Sequence, residues 1–231
     1  MILVTKPGAN RLFQGKNCQD FGCYFSNVKM VMDGCSYVDH SEVGTKIFGQ
    51  MIKGMNNGRV FPTDIRVWTK DIFDEIVASL GHLNQDETWK TNFLFSNFCF
   101  TIVAVIENSF SYDVLYCGDG YILAKTNKGE LEVINLDEGY NGAPPYYAYN
   151  YIKPEYLASY RNGVSFKKKV LYKNKYKNVG VATGGFSYVD MLSNEEKEAF
   201  KQAIVEEKDS KVCQIINKNE KIFLDDVCIV M

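Results

Sequence analysis

Four aspartates stand where an apolar run of the sequence ends or turns. They are Asp20 in NCQDFG, Asp33 in MDGCS, Asp119 in CGDGY and Asp225 in FLDDVC. An ionised carboxylate is costly to bury beside apolar strand residues unless a cation or hydrogen-bond donors compensate it. Each Asp-Gly taken alone is typical of a turn. Four such aspartates together favour a site for a hard divalent cation, Mg²⁺ or Mn²⁺, because oxygen ligands suit these ions better than Zn²⁺ or Cu²⁺.

The stretch VMDGCS, residues 31–36, shows this pattern most clearly. An apolar pair followed by Asp33 and Gly34 predicts a buried strand that delivers one carboxylate to its end. The glycine lets another group approach the backbone closely. Metal sites are often built in this way.

Other phosphate and metal chemistries lack the residues they need. A Cys-x5-Arg phosphatase requires arginine six residues after its nucleophile, but Ser41 holds that place after Cys35, and the other cysteines do no better. The chain contains no GxxxxGK[ST] phosphate loop and no GxSxG serine elbow. His40 and His82 are the only histidines and no CxxC occurs, which argues against histidine-rich and structural zinc sites.

Size and charge narrow the class of protein. The chain has 231 residues, of which 46% are hydrophobic and 14% aromatic, enough for one domain spanning residues 1–231. A formal net charge of −2 gives no electrostatic case for nucleic acid or an anionic membrane, so small molecules or proteins are the expected partners.

No apolar run approaches the roughly 18 residues of a membrane span, and the start lacks the features of a signal peptide. With seven cysteines mostly inside apolar runs, we expect buried thiols and a cytoplasmic protein.

The first half of the chain predicts a hairpin and two helices. Residues 22–33 alternate as two short strands with a turn around Asn27. A helix from Ser41 is predicted to bury a face made of Val43, Ile47, Met51 and Met55, and to end at Gly54 and residues 56–58. Thr63 or Asp64 is expected to cap the next helix, whose apolar stripe from Ile65 to Leu80 stops at Gly81.

The second half predicts mostly strands. After a polar link, residues 99–135 are expected to form an antiparallel meander of three or four strands. Residues 139–178, rich in tyrosine and lysine, predict a loop followed by edge strands whose lysines face water, or else a docking surface for an acidic or phosphorylated partner. Residues 178–186 predict a buried strand and a sharp turn. Ser193 and Glu196 indicate a capping box for a helix to about residue 208, and a final strand is interrupted at residues 225–226. Because βαβ alternation is missing, an α+β fold with antiparallel sheets is predicted.

Six stretches, in order along the chain, resemble the successive motifs of the metal-dependent type-2C protein serine/threonine phosphatases, most closely the compact bacterial branch. They are GKNCQDFG, VMDGCSYVDHSEVGTKIF, FTIVAVI, VLYCGDGYIL, VATGGFS and LDDVCIVM. The ordered set is far more specific than any single motif and spans residues 8–231. The resemblance implies two antiparallel β-sheets packed as a sandwich with helices on both outer faces.

The resemblance also implies roles for individual residues. Asp33 would bridge two metal ions, and Gly34 would offer its backbone carbonyl to one of them. Asp20 and Asp225 match further ligands, and Asp119 matches the aspartate of a weaker third metal position. The implied reaction is attack of a metal-activated water on phosphoserine or phosphothreonine, with Mg²⁺ or Mn²⁺ as the cofactor.

The phosphate oxygens need a donor, and Arg11 is the best-placed candidate, because a guanidinium can bind them bidentately. Its alternative is a surface arginine on a loop. As partners, the resemblance implies phosphorylated protein substrates and a cognate serine/threonine kinase, and we expect a monomer with a signalling role.

One departure from the family pattern concerns a metal ligand. Where the family has an aspartate in the stretch matching VATGGFS, this chain has Gly184. Asp190 lies close enough in sequence to be considered as a substitute. Two functions therefore stay open: an active phosphatase, and a pseudophosphatase that binds phosphoproteins or regulates. A third alternative is an unrelated α+β domain whose acidic turns are only turns.

Overall fold

The computed structural model describes residues 1–38, 40–55, 64–140, 142–152 and 158–231. The strands are β1 (Leu3–Lys6), β2 (Phe21–Phe25), β3 (Val28–Gly34), β4 (Phe100–Glu107), β5 (Ser111–Cys117), β6 (Tyr121–Thr126), β7 (Leu131–Asn135), β8 (Lys167–Tyr172), β9 (Tyr176–Ala182) and β10 (Val227–Val230). The α-helices are α1 (Ala9–Gln14), α2 (Ser41–Met55), α3 (Ile65–Gly81), α4 (Glu87–Phe98), α5 (Tyr149–Ile152), α6 (Asn194–Val205) and α7 (Asp209–Lys218). Two 3₁₀ helices cover Ala158–Tyr160 and Gly184–Met191.

The strands form two antiparallel sheets of five strands each within the described residues. Sheet I has the order β1-β10-β9-β6-β7, and sheet II has the order β2-β3-β4-β5-β8. In sheet II the predicted hairpin is present, with Phe25 opposite Val28 across a tight turn. Strand β3 then pairs with β4 along its whole length, so that Asp33 lies opposite Thr101.

Alternation along the strands builds three apolar layers. In β3, Val31 packs between the two sheets, where it joins Val103 of β4 and Val181 of β9. Its neighbours Met30 and Met32 point to the other face, because successive side chains of a strand point to opposite faces. There they pack under helices α2, α3 and α4, while α6 and α7 cover the outer face of sheet I. The predicted α+β sandwich with helices on both outer faces is confirmed.

Helix α2 buries only part of the predicted face, since Met51 and Met55 pack against the core and Val43 and Ile47 do not. Val43 and Ile47 are 39% and 43% exposed, whereas Phe48 and Ile52 are fully buried. The buried face also carries Ser41, Gly44, Thr45 and Gly49. Because small and hydroxylated residues supply much of this face, a count of large apolar residues indicated only part of it. The helix-ending signal at residues 56–58 lies outside the described residues.

Helix α3 agrees with its predicted stripe. Ile65, Trp68, Ile72, Phe73 and Leu80 are buried. Asp64 caps the helix by accepting a hydrogen bond from the backbone N–H of Arg66, and Thr63 lies outside the described residues.

Four α-helices of the described residues, α5 among them, and one sheet crossing were not predicted. The expected polar link contains α4, which Asp86 caps by accepting from the backbone N–H of Trp89. Helices α1 and α7 were also missed. The expected meander is wrong in one respect, because β4 and β5 belong to sheet II and β6 and β7 to sheet I. Gly118 and Gly120, with φ of +103° and +137°, carry the chain from one sheet to the other.

The region rich in tyrosine and lysine is mostly part of the packed fold. Tyr146 and Tyr149 are 5% and 2% exposed and pack against the helices on sheet II. Strand β8 lies at the edge of sheet II, as predicted for the lysine-rich segment. The predicted cap of α6 is present, since the Ser193 hydroxyl accepts from the backbone N–H of Glu196. The last strand begins at Val227, directly after the two aspartates, so they precede the strand and do not interrupt it.

No helix in the described parts of the chain combines the length and the apolar character needed to cross a membrane.

Candidate metal and phosphate site

The antiparallel registers bring the predicted site residues to one end of the sandwich. In sheet II, Asp20 directly precedes β2 and Asp33 lies at the end of β3. The two aspartates are brought together because their neighbours, Phe21 and Met32, pair across the two strands. In sheet I, Gly184 closely follows the end of β9, where the backbone N–H of Thr183 donates to the carbonyl of Cys228 near the start of β10. Residues from four segments of the sequence therefore meet where the two sheets face each other.

Asp33 is held by the backbone of the segment after β9. Its Oδ2 accepts a hydrogen bond from the N–H of Gly184 at 2.9 Å. Burial, together with the negative charges of Asp119 and Asp225, raises the pKa of Asp33 to about 8, and the Gly184 hydrogen bond opposes this shift. The three carboxylates are therefore close enough to repel one another.

Position 34 requires glycine because Ser41 and Gln19 pack closely against its backbone. A Cβ at this position would lie 2.6 Å from the Ser41 hydroxyl oxygen and 2.8 Å from the Gln19 carbonyl oxygen. Any side chain would push apart the start of α2 and the segment before β2. This close approach explains the glycine of the Asp-Gly pair, whereas metal binding by its carbonyl stays a prediction.

Asp20 is the most deeply buried acid of the group, with 2% of its surface exposed. Its Oδ2 accepts a hydrogen bond of 2.6 Å from the hydroxyl of Thr183, whose oxygen accepts in turn from the backbone N–H of Cys228 at 2.8 Å. Its Oδ1 is buried and has no hydrogen-bond partner among the described residues. Burial and the charges of Asp33 and Asp226 raise the pKa of Asp20 well above its usual value.

Asp119 and Asp225 complete the predicted acidic set. Asp119 lies in the crossing from β5 to β6, and burial is the main cause that raises its pKa. Asp225 lies just before β10 and accepts hydrogen bonds from the hydroxyl of Ser36, at 3.4 and 3.5 Å, and from the backbone N–H of Asp226. Both contribute negative charge to the surroundings of Asp33.

Arg11 belongs to a buried network that the sequence did not indicate. Its guanidinium donates to the side-chain oxygen of Gln19, and its Nε lies 3.9 Å from Oδ2 of Asp226. Asp226 also accepts from the backbone N–H groups of Gly8 and Gln19, at 2.8 and 2.6 Å. The surface-loop alternative for Arg11 is wrong, since only 6% of the residue is exposed.

An open cleft of about 250 Å³ lies beside this network. It is lined by Asn10, Arg11, Gln14, Ser36, Tyr188 and Asp225. The predicted phosphate donor and one predicted metal ligand therefore share a cleft wide enough for a small group such as a phosphate.

Asp190 does not replace the aspartate missing at position 184. Its side chain is 76% exposed and forms an ion pair with Lys197. Gly184 itself presents its backbone N–H to Asp33. The substitution by Asp190 that the sequence left open is therefore wrong, because the 3₁₀ helix Gly184–Met191 carries Asp190 to the surface.

Three residues of the site were not predicted from the sequence. Asp226 was visible only as the second acid of FLDDVC, and Gln19 and Thr183 carry no motif of their own. Their roles depend on partners more than 100 residues away, such as Asp226 with Gln19 and Thr183 with Asp20. The doubled aspartate was the one signal that could have indicated the network.

The donor chemistry of the site fits a hard divalent cation. The side chains supply oxygen only, they repel one another, and the unpartnered Oδ1 of Asp20 lacks the compensation that a buried carboxylate needs. The geometry is not preassembled, because no three Asp, Glu, His or Cys side chains of the described residues are grouped closely enough to hold an ion. A cation would therefore have to draw the carboxylates together.

Comparisons with known proteins address the fold. No protein-family model and no curated protein sequence matches the chain. Among solved structures, the serine/threonine phosphatase Stp1 from Staphylococcus aureus superposes with a TM-score of 0.61 and 17% identity, over 98% of this chain and 91% of Stp1. The S. agalactiae serine/threonine phosphatase gives 0.59 and 17%, over 99% and 96% of the two chains.

A third similar structure is the catalytic domain of the serine threonine protein phosphatase PstP in complex with two manganese ions. It has a TM-score of 0.56 and 11% identity, over 98% of this chain and 94% of PstP. Near-complete coverage of both chains at such low identity reflects shared architecture. The chain therefore has the fold of the bacterial serine/threonine phosphatases, which confirms, at the level of the fold, the resemblance of its ordered motifs to the type-2C family.

Proposed function

We propose that the protein hydrolyses phosphoserine and phosphothreonine in other proteins, with bound Mg²⁺ or Mn²⁺. The observation that carries this proposal is Oδ1 of Asp20, which is buried without a partner in the described structure and lies near the charge of Asp33. A carboxylate in such a position is stabilised by a cation. The fold supports the proposal, because PstP, which shares it, was solved in complex with two manganese ions.

The proposed roles follow the positions of the side chains. The groups that would hold the cation are Asp20, Asp33, Asp119, Asp225 and the carbonyl of Gly34. When bound, a divalent cation lowers the pKa of a coordinated water and offsets negative charge on the phosphoryl group. Arg11 binds the phosphate oxygens from the wall of the cleft, and Gln19 and Asp226 keep its guanidinium in place.

Cys18, a thiol close to the acidic group, is unsuited to act as a nucleophile. Burial, and next the charge of Asp20, raise the pKa of the Cys18 thiol far above its usual value. A thiol that stays protonated is a poor nucleophile. The proposal therefore uses water and needs no covalent intermediate. Its substrates are phosphorylated proteins, with a serine/threonine kinase as the opposing activity, and we place the monomeric protein in the cytoplasm.

A second candidate function is a phosphoprotein-binding or regulatory module without turnover. Two observations favour it. Gly184 brings a backbone N–H to Asp33 where the family pattern has a carboxylate. The described acidic side chains also form no ready group of three. In this case Arg11 and the cleft would bind a phosphorylated residue without hydrolysing it.

The test is hydrolysis of p-nitrophenyl phosphate and of a phosphothreonine peptide, with and without millimolar Mn²⁺. We expect turnover that depends on Mn²⁺ and that Asp33→Asn abolishes. The matched control is Asp113→Asn, which removes an aspartate of β5 that pairs with Lys168 and lies in sheet II outside the site. The control should keep the turnover of the unmodified protein.

The two functions give different results. Turnover that survives Asp33→Asn would contradict the proposed mechanism. Absence of turnover at every Mn²⁺ concentration, together with binding of the phosphopeptide that Arg11→Ala weakens, would favour the binding module.

A further inference from the structure

One oxygen of Asp33 is held by the backbone of residue 184. Oδ2 accepts the N–H of Gly184 at 2.9 Å, and the carboxyl group of Asp20 lies against the same side chain. A Cβ on Gly184 would lie 3.0 Å from the same Oδ2. The backbone of residue 184 therefore occupies the Oδ2 side of the Asp33 carboxylate.

Asp20 has one oxygen held in a similar way. Its Oδ2 is fixed by the hydroxyl of Thr183, and the hydroxyl oxygen is itself fixed by the N–H of Cys228. Its Oδ1 is buried without a described partner, in a residue that is 2% exposed. Each of the two carboxylates thus has its Oδ2 held by a hydrogen-bond donor of the chain, and the buried Oδ1 of Asp20 remains for a ligand.

The charged groups that act on these two carboxylates are negative. Asp119 and Asp225 act on Asp33, and Asp33 and Asp226 act on Asp20. No ion pair among the described residues includes Asp20 or Asp33, although Arg11 lies near Asp226. One divalent cation between the two carboxylates would offset their repulsion.

A second cation would find much poorer ligands. It would have to share Oδ2 of Asp33 with the N–H of Gly184, and position 184 offers it no carboxylate. The nearest later aspartate, Asp190, is turned to the surface and paired with Lys197. Divalent ions of this kind bind through several oxygen ligands, so the loss of one carboxylate and part of another weakens this position strongly.

We infer that this chain binds a single divalent cation, between the carboxylates of Asp20 and Asp33, and that Gly184 is the residue that removes the second position. The inference rests on the proposed cation binding and specifies its stoichiometry. It distinguishes the chain from PstP, which was solved with two manganese ions.

The experiment is a titration of the full chain with Mn²⁺, followed by calorimetry and by electron paramagnetic resonance. We expect one ion per chain and the hyperfine spectrum of an isolated Mn²⁺. Gly184→Asp should bind a second ion and give the spectrum of an exchange-coupled pair. Gly184→Asn is the matched control, because it adds a side chain of the same shape without the charge, and it should still bind one ion.

The outcomes separate this inference from the proposed function. Two coupled ions in the unmodified protein would overturn the inference and leave metal-dependent hydrolysis intact. No bound ion would overturn both. One ion without any phosphatase turnover would support the inference and contradict the proposed function. Should Gly184→Asp fail to fold, the stoichiometry of the unmodified protein still decides.

Discussion

Two acidic regions of this molecule differ in how their charge is compensated. Around strand β8 the carboxylates are paired with lysines across neighbouring strands and turns: Glu107 with Lys173, Asp113 with Lys168, Glu132 with Lys175 and Glu138 with Lys167. At the end of the sandwich, no described ion pair includes Asp20, Asp33, Asp119 or Asp225, and only Asp226 has an arginine nearby. Lysines of the chain compensate the carboxylates of the surface region. The carboxylates of the buried region need a bound proton or a bound cation.

The largest expected effect is a dependence of metal-free stability on pH. The pKa of Asp33 rises from 3.8 to about 8 on folding, and that of Asp20 is raised as well. Between these values the folded protein keeps protons that the unfolded chain has released, so stability falls as pH rises. Urea unfolding at both ends of this window should show a lower midpoint at the higher pH.

The controls for this prediction are Mn²⁺ and Asp33→Asn. Both should flatten the dependence, since a bound cation keeps the carboxylates ionised and asparagine does not titrate. A urea midpoint that rises with pH across the window in the metal-free protein would show that ionisation of the buried carboxylates does not destabilise the fold.

The second prediction concerns stabilisation by metal. At a Mn²⁺ concentration 100 times its dissociation constant, the unmodified protein should gain about 2.7 kcal/mol in free energy of unfolding. Asp20→Asn should lose this gain and should be more stable than the unmodified protein when metal is absent, because one buried charge is gone. Thermal unfolding with and without Mn²⁺ measures both effects. A full Mn²⁺ response in Asp20→Asn would exclude Asp20 as a ligand.

The third prediction is a loss of stability in the metal-free protein, opposite to the gain expected for Asp20→Asn. Asp226→Asn should lower the free energy of unfolding by about 1–3 kcal/mol, because an amide oxygen cannot replace both carboxylate acceptors for Gly8 and Gln19. Loss of the charge near Arg11 should also raise KM for a phosphopeptide more than it lowers kcat. Equal stabilisation by Asp20→Asn and Asp226→Asn would remove the distinction between uncompensated and compensated acids within the site.

The smallest effect is expected at the surface. Asp113→Asn removes the partner of Lys168, a lysine whose side chain is 49% exposed. Exposed ion pairs contribute about 0.2–1 kcal/mol, and salt screens them. Urea unfolding at low and high salt should show a small loss that disappears at high salt, with no change in the response to Mn²⁺. A loss as large as that of Asp226→Asn would mean that the two regions are not different in kind.

Local patterns were sufficient to predict several elements. The β2–β3 hairpin, the stripe of α3 and the cap of α6 depend on residues within a few positions of one another. The strands between residues 100 and 135, predicted as three or four, followed from alternation and turns. Their distribution over two sheets was not predicted, since nothing in the turn at Gly118 and Gly120 specifies which sheet the next strand joins.

Two of the missed helices have features that a local pattern hides. Helix α1 has six residues, and its buried residue is Arg11. In α4 the buried residues include Asn97, so the segment lacks a continuous apolar stripe. The face of α2 was partly misassigned for a related reason, because Gly44 and Gly49 pack inward while Val43 and Ile47 stay exposed.

The sequence by itself determined the order of the motifs, the four aspartates at strand ends and the absence of an aspartate at position 184. Those are properties of single positions and their neighbours. Only the tertiary structure decided that Gly184 donates its N–H to Asp33, that Thr183 fixes one oxygen of Asp20, and that Asp226 holds the segments of Gly8 and Gln19. These contacts join residues more than 100 positions apart, and they form because two antiparallel sheets place their strand ends at the same end of a sandwich.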